Sequence, residues 1–252
     1  MDLTGASALV TGAGSGLGAA TAAALAAAGA RVVALDRNAE GLAALAAECG
    51  AIPVVGDVTS EDDVGGAVAA AAGLAPLRVA VNCAGIAPAA RVVGRGGAHD
   101  LALFERTLRV NLLGTFNVLR LAAQRMQAQD PVGADRERGV IVNTASIAAE
   151  DGQVGQCAYA ASKAGVMGLT LPAARELAKS GIRVVTIAPG LFETPMLAGL
   201  PEAAQAAIRA LPLFPARLGR PEEFAALVRA IVANPLLNGT TLRFDSALRL
   251  PP

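Results

Sequence analysis

Apolar positions along the chain follow two alternating rhythms. Short β-branched runs occur at residues 7–10, 31–35, 52–55, 79–82, 140–143, 183–187 and 241–244. Helical periodicity fills the stretches between them, at 16–28, 40–48, 61–72, 103–129, 157–179 and 221–233. Strand and helix taking turns in this way predicts an α/β fold, a doubly wound parallel sheet of about seven strands with helices on both faces. Two stretches break the rhythm. Residues 90–100 are rich in Gly and Arg, and residues 130–139 are polar and contain Pro131, so both are expected as surface loops. No Pro/Gly/Ser linker and no internal repeat divides the chain, so residues 1–252 are expected to form one domain.

Composition narrows the classes. The chain is 54% apolar but only 3% aromatic, so Ala, Val, Leu and Ile must fill the core. Lys plus Arg and Asp plus Glu are 21 each, with no run of like charge, which gives no support to nucleic-acid binding or electrostatic membrane docking. The Ala-rich stretch 19–28 is too short to span a bilayer, and no basic leader precedes the first strand. Cys49, Cys83 and Cys157 are scattered, and His99 is the single histidine. No metal site is expected from that set, and reduced thiols fit a soluble, cytoplasmic protein.

The first strand runs into Thr11-Gly12-Ala13-Gly14-Ser15-Gly16-Leu17-Gly18, which opens the first helix. Glycines in that context permit a tight turn and let backbone N–H groups approach a pyrophosphate at the helix N-terminus, the Rossmann arrangement. The second strand ends at Asp36, eighteen residues after Gly18. A carboxylate there accepts both ribose hydroxyls of adenosine and repels a 2′-phosphate, which favours NAD over NADP. Arg37 is the one neighbour that can meet a 2′-phosphate; its other reading is a solvated residue at a helix start.

The only tyrosine, Tyr159, stands four residues before Lys163. Residues four apart share a helix face. A cation beside a phenol favours the phenolate and lowers its pKa, so the pair reads as an acid–base device or, taken alone, as a surface helix that happens to carry Tyr and Lys.

Together these residues resemble the short-chain dehydrogenase/reductase family over nearly the whole chain. Gly12, Ser15, Gly16, Leu17 and Gly18 match its glycine turn. Asp57 and Val58 match the pair that holds the adenine ring, and Asn82-Cys83-Ala84-Gly85 resembles its N-N-A-G with Cys83 in place of the second Asn. Asn111 matches the helix asparagine, and Ser146 the serine thirteen residues before Tyr159. Pro189, Gly190 and Thr194 match the segment around the nicotinamide carboxamide, with Phe192 between them. Residues 81–87, the insertion after them, residues 152–156, 187–192 and 213–219, and Pro195 are similar to the NAD-dependent 3-hydroxyacyl-CoA dehydrogenase branch. That branch oxidises the 3-hydroxyl of short and branched acyl-CoA esters, accepts steroid alcohols and forms homotetramers. Asp245-Ser246-Ala247 departs from it, lacking the usual glycine.

The resemblance implies Tyr159 as the base that takes the hydroxyl proton, Lys163 stabilising the phenolate and bonding the nicotinamide ribose, and Ser146 holding the substrate oxygen. It implies Asn111 supporting a water that relays protons, and Gln153 lining the substrate pocket. Taken singly, Ser146 reads equally as a cap and Asn111 as a backbone ligand. Cys83 reads as a small residue beside the cofactor rather than a nucleophile, and neither Cys157 nor His99 is expected to react. Leu191, Phe192, Met196, Leu197, Leu200, Leu211, Leu213 and Phe214 suggest an apolar lid over about 190–215, or an amphipathic helix burying its core face. Alternatives to the thioester dehydrogenase are a hydroxysteroid dehydrogenase, a carrier-protein ketoacyl reductase, which the family usually runs on NADPH, and a non-catalytic NAD-binding scaffold.

Overall fold

The computed structural model describes residues 1–194 and 202–251. Met196, Leu197 and Leu200 of the expected lid, and Pro195, lie outside the described residues. The chain runs β1 (Ser7–Thr11), α1 (Gly16–Ala27), β2 (Arg31–Asp36), α2 (Ala39–Cys49), β3 (Ile52–Val55), α3 (Glu61–Leu74) and β4 (Leu77–Asn82). A small hairpin, β5 (Val93–Gly94) and β6 (Gly97–Ala98), precedes α4 (Leu101–Leu108), a π-helical turn (Arg109–Leu113) and α5 (Gly114–Gln127). Then come β7 (Gly139–Thr144), α6 (Ala148–Asp151), α7 (Cys157–Ala178), β8 (Ile182–Pro189), α8 (Glu202–Arg209), α9 (Pro221–Ala233) and β9 (Thr241–Phe244).

Seven of the strands form one sheet in the order β3-β2-β1-β4-β7-β8-β9, parallel at each pairing. This is the expected doubly wound sheet. The interior strands β1, β4, β7 and β8 are buried along their whole length, as strands covered on both faces must be. One layer packs Leu25, Leu42, Phe224, Val228 and Ile231 against the sheet. The opposite layer packs Val64, Val68, Val118, Met126 and Ala174. Small aliphatic residues do fill the core.

The winding reverses between β1 and β4, since β1 leads outward to β2 and β4 outward to β7. Helices leave on opposite faces at such a point, and a crevice opens beyond the carboxyl ends of the two strands. The glycine turn and the Asn82–Gly85 segment both lie at that end, where Cys83 N–H donates to Thr11 O at 3.2 Å.

Three local features differ from the sequence expectation. The single helix expected over 103–129 is interrupted by the π-turn, which inserts an extra residue without changing the periodic pattern that a sequence displays. The 90–100 loop holds the hairpin, with Val93 exposed. The 130–139 loop is closed by a Val132–Glu137 bridge, and Gly139 already belongs to β7.

After β9 the chain turns over Asp245–Leu248, with Leu248 N–H donating to Asp245 O at 3.0 Å. Ser246 and Ala247 sit in the left-handed region, at φ 56° and 59°, a conformation that favours glycine. Asp245 holds this turn, one oxygen accepting from Ala247 N–H at 3.2 Å and the other from Arg243 Nε at 2.5 Å. The side chains at 246 and 247 therefore carry a steric cost that glycine would not. Ser246→Gly is expected to stabilise the protein by about 1 kcal/mol, read as a higher midpoint in denaturant unfolding; a lower midpoint contradicts the strain.

Candidate active site

The crevice opens into a cleft of about 760 Å³. Its floor at one end is the glycine turn. A Cβ on Gly18 would lie 2.1 Å from Gly12 O, and one on Gly12 would lie 2.6 Å from Ala84 N. Gly12 and Gly16 also have positive φ, 66° and 53°. Only glycine lets the turn, α1 and the β4 end approach this closely. Ser15 is the N-cap of α1 but makes no side-chain cap bond, and the first turn carries no acidic residue. The N–H groups at the head of α1 are thus left for an anion at the cleft floor.

Asp36 ties the turn to the end of β2. One carboxylate oxygen accepts from Gly14 N–H at 2.9 Å and the other from Asn38 N–H at 2.9 Å. Asp57 lies farther along the same wall. Burial pushes its carboxyl up, but the Thr59 N–H at 2.9 Å and the Arg37 and Arg109 cations outweigh that, and the net shift is downward. Arg37 reaches 3.7 Å from Asp57 and is mostly exposed. Two carboxylates and one loosely held guanidinium line this end, a balance suited to ribose and adenine.

At the other end α7 presents Tyr159 and Lys163 one turn apart. Lys163 Nζ lies 5.8 Å from the centre of the Tyr159 ring and donates to Thr144 O, at the end of β7, at 2.8 Å. Only 5% of Lys163 is exposed. Burial pulls its ammonium down to about 8, and the neighbouring Cys83 sulfur pushes it back up slightly. Tyr159 keeps some access to the cleft, yet burial dominates its ionisation and raises the phenol above its ordinary value, with the Ser146 hydroxyl pulling it down. The expected lowering by Lys163 is not what this cleft displays. Desolvation acts against the charged form of each group and is the largest influence on both. Ser146 is itself fixed, its Oγ accepting from Ala148 N–H at 3.1 Å. Burial raises the Cys83 thiol to about 11, against the pull of Thr144 and Lys163, so it stays protonated at neutral pH.

Asn111 sits in the π-turn and is fully buried. Its Oδ1 accepts from Ile86 N–H at 2.8 Å, and its Nδ2 donates to Ile86 O and to Ser162 Oγ, both at 2.9 Å. Ser162 Oγ donates onward to Tyr159 O at 2.7 Å. Both hydrogens of the Asn111 side-chain amide are thus bonded to protein acceptors. The amide latches the segment after β4 to the first turns of α7. Gly85 completes the fit, since a Cβ there would lie 3.1 Å from Asn111 Oδ1 and 3.5 Å from Lys163 Nζ.

Gly12, Ser15, Gly16, Leu17, Gly18, Asp36, Asp57, Val58, Cys83, Ala84, Gly85, Ser146, Gln153, Tyr159, Lys163, Pro189, Gly190, Phe192 and Thr194 all line this one cleft. Asn82 and Asn111 do not. The Asn82 side chain is buried between strands and donates to Asn143 Oδ1 at 2.9 Å. Sequence reading missed Arg106, Ile208 and Leu250, which also line the cleft. Arg106 and Val110 are a helical pair four apart, a signal that was available; Leu250 comes from the chain's last residues, where no pattern marks it. Among the described residues no cluster of His, Cys, Asp and Glu is placed to hold a metal, and no helix is long and apolar enough to cross a membrane.

The description "short chain dehydrogenase" belongs to the family model that matches residues 6–205, and the chain belongs to that family. It is an oxidoreductase acting on CH–OH groups of small molecules, in a family that works with nicotinamide cofactors. The human 3-hydroxyacyl-CoA dehydrogenase type-2 is 51% identical, with 98% of this chain and 97% of that protein covered. The Drosophila melanogaster protein of the same name is 51% identical over 98% of each chain. The solved structure of 3-hydroxyacyl-CoA dehydrogenase type-2 from Mycobacterium avium superposes with a TM-score of 0.94 at 47% identity, covering 98% of this chain and 97% of that one.

Burial of Lys163 has a sign that pH can read. Below about 8 the lysine is protonated both folded and unfolded, and the full cost of the buried charge is present. Between about 8 and the unfolded value of about 10.4 the unfolded chain binds more protons, so stability rises with pH. Wild-type unfolding free energy is expected to gain on Lys163→Met by an amount on the order of 3 kcal/mol across that window. Parallel pH profiles for the two proteins, from denaturant unfolding, contradict a buried ammonium.

Proposed function

We propose that the protein is an NAD-dependent dehydrogenase that oxidises the 3-hydroxyl of short or branched 3-hydroxyacyl-CoA thioesters. The observation that carries this reading is the convergence of Tyr159, Lys163, Ser146 and Asp36 on one cleft, in a chain about half identical to proteins of that name. The cleft fits a dinucleotide. The head of α1 is uncapped, the glycine approach leaves no room for side chains at positions 12 and 18, and Asp36 disfavours a 2′-phosphate. Asp57, Val58, Cys83, Ala84 and Gly85 would hold the adenosine and ribose portions, and Pro189, Gly190, Phe192 and Thr194 the nicotinamide end. When bound, NAD supplies a hydride acceptor at C4 of its ring.

The chain's own residues do the rest. Tyr159, as phenolate, takes the proton from the substrate hydroxyl. Ser146 fixes the substrate oxygen in line with it. Lys163 stabilises the phenolate and reaches the ribose. Asn111 acts as a positioning residue through Ile86 and Ser162. Gln153 lines the substrate end. The enzyme works as a homotetramer in the cytoplasm, one domain with a lid at about 190–215. Exposed Leu113 in the π-turn, Phe116 on α5 and Leu171 on α7 support the assembly, and three free thiols support the compartment.

A hydroxysteroid dehydrogenase is the second reading, favoured by the apolar lid contributors Leu191, Ile208 and Leu211. Initial rates of NAD reduction with (S)-3-hydroxybutyryl-CoA, its 2-methyl analogue and a 17β-hydroxysteroid separate the two. Turnover of the thioesters is expected with NAD and not NADP. Loss of about 100-fold or more in kcat is expected in Tyr159→Phe. Steroid-only turnover promotes the second reading, and NADP preference overturns the role given to Asp36.

A further inference from the structure

A charge cluster that the reaction does not use lies behind the substrate end of the cleft. Arg243, on β9, has a side chain only 17% exposed. It donates to Glu150 at 2.6 Å, to both oxygens of Asp151 at 2.9 and 2.7 Å, to Asp245 at 2.5 Å and to Leu248 O at 2.8 Å. Asp151 is more buried still, with 8% of its side chain exposed. One of its oxygens, Oδ2, also accepts from Leu250 N–H at 2.9 Å. Arg243 holds the Asp151 carboxyl below its ordinary range, so both partners stay charged.

The cluster joins three pieces of chain. Glu150 and Asp151 belong to α6, which begins two residues after Ser146 and ends two before Gln153. Asp245 packs against Gly190, where a Cβ would lie 2.7 Å from the Asp245 Cβ. The third piece is the tail beyond the Ser246–Ala247 turn, whose Leu250 lines the cleft. A segment outside helix and sheet is held only by what it touches, and a mobile side chain makes a poor wall. This one is pinned at its backbone N–H by a carboxylate that is pinned by a guanidinium, which is how a side chain is held in a fixed place beside a site.

We propose that Leu250, held by the Asp151–Arg243 clamp, is a specificity-determining wall of the substrate end that limits the length of alkyl chain the cleft accepts. This rests on Ser146 and Tyr159 marking the reaction centre. It does not depend on the substrate being a thioester. Leu250→Ala removes three carbons from the wall, and one methylene in an apolar pocket is ordinarily worth tenfold or more in selectivity.

The test compares kcat/KM for 3-hydroxybutyryl-CoA with that for 3-hydroxyhexanoyl-CoA, and in parallel for 2-butanol with 2-hexanol. Leu250→Ala is expected to shift each ratio toward the longer chain by about tenfold, through KM more than kcat, with the KM for NAD unmoved. An unchanged ratio overturns the proposal. Should wild type oxidise the alkanols but no thioester, the thioester reading falls and the alkanol ratio still decides this one. Arg243→Gln tests the clamp without turnover. Amide hydrogen exchange is expected to speed up over 248–250 and 148–153 together, and unchanged exchange in either segment overturns the coupling.

Discussion

Lys163 places an ammonium where only 5% of the residue meets solvent, with one backbone carbonyl, Thr144 O, as its hydrogen-bond acceptor among the described residues. Moving a charge out of water is costly, and a single carbonyl offsets only part of it. The surroundings of Lys163 tie the first turns of α7 to the segment after β4. Asn111 grips Ser162, the residue before the lysine, and Ser162 grips the carbonyl of Tyr159. The same amide grips Ile86 and so sets the segment that carries Cys83, Ala84 and Gly85. That segment leans on the glycine turn through Gly12. Both ends of the cleft are thus fixed by one buried network whose members cannot shift singly.

This explains why a π-turn interrupts an otherwise regular helix. The extra residue turns Asn111 inward at the point where α4 gives way to α5. π-turns are found where function needs a side chain aimed away from helical register. The sheet makes the same demand from below. Its winding reverses at β1 and β4, so the glycine turn, the β4 end and the β7 end open onto one crevice.

Much of this was legible because the signals are local and periodic. Alternating runs gave the strand and helix order, and fixed spacings gave the glycine turn, Asp36 and the Tyr159–Lys163 pair. What was not legible depends on distant chain segments or on burial. The π-turn leaves helical periodicity intact. Asn82 sits in a cofactor motif, yet its amide turns into the sheet toward Asn143. Leu250 reaches the cleft only because Arg243 and Asp151, ninety-two residues apart, meet. The missing glycine after Asp245 was visible in the sequence, and its consequence, two side chains in left-handed backbone, needed coordinates. The sign of the Tyr159 shift was misjudged because counting a cation four residues away ignores desolvation, which for a buried phenol is the larger effect.

The account rests on one electrostatic balance. Burial holds the Tyr159 phenol up and the Lys163 ammonium down, and a positive charge entering the cleft beside Tyr159 would lower the phenol. Oxidised NAD carries a cationic ring. Because the chain has one tyrosine and no tryptophan, near-ultraviolet phenolate absorbance titrates Tyr159 alone. The most direct measurement is that titration, with and without saturating NAD. The account predicts a midpoint above the ordinary value of about 10 in the free protein and a clear fall on adding NAD. A free-protein midpoint at or below the ordinary value, or one that NAD leaves unmoved, contradicts it.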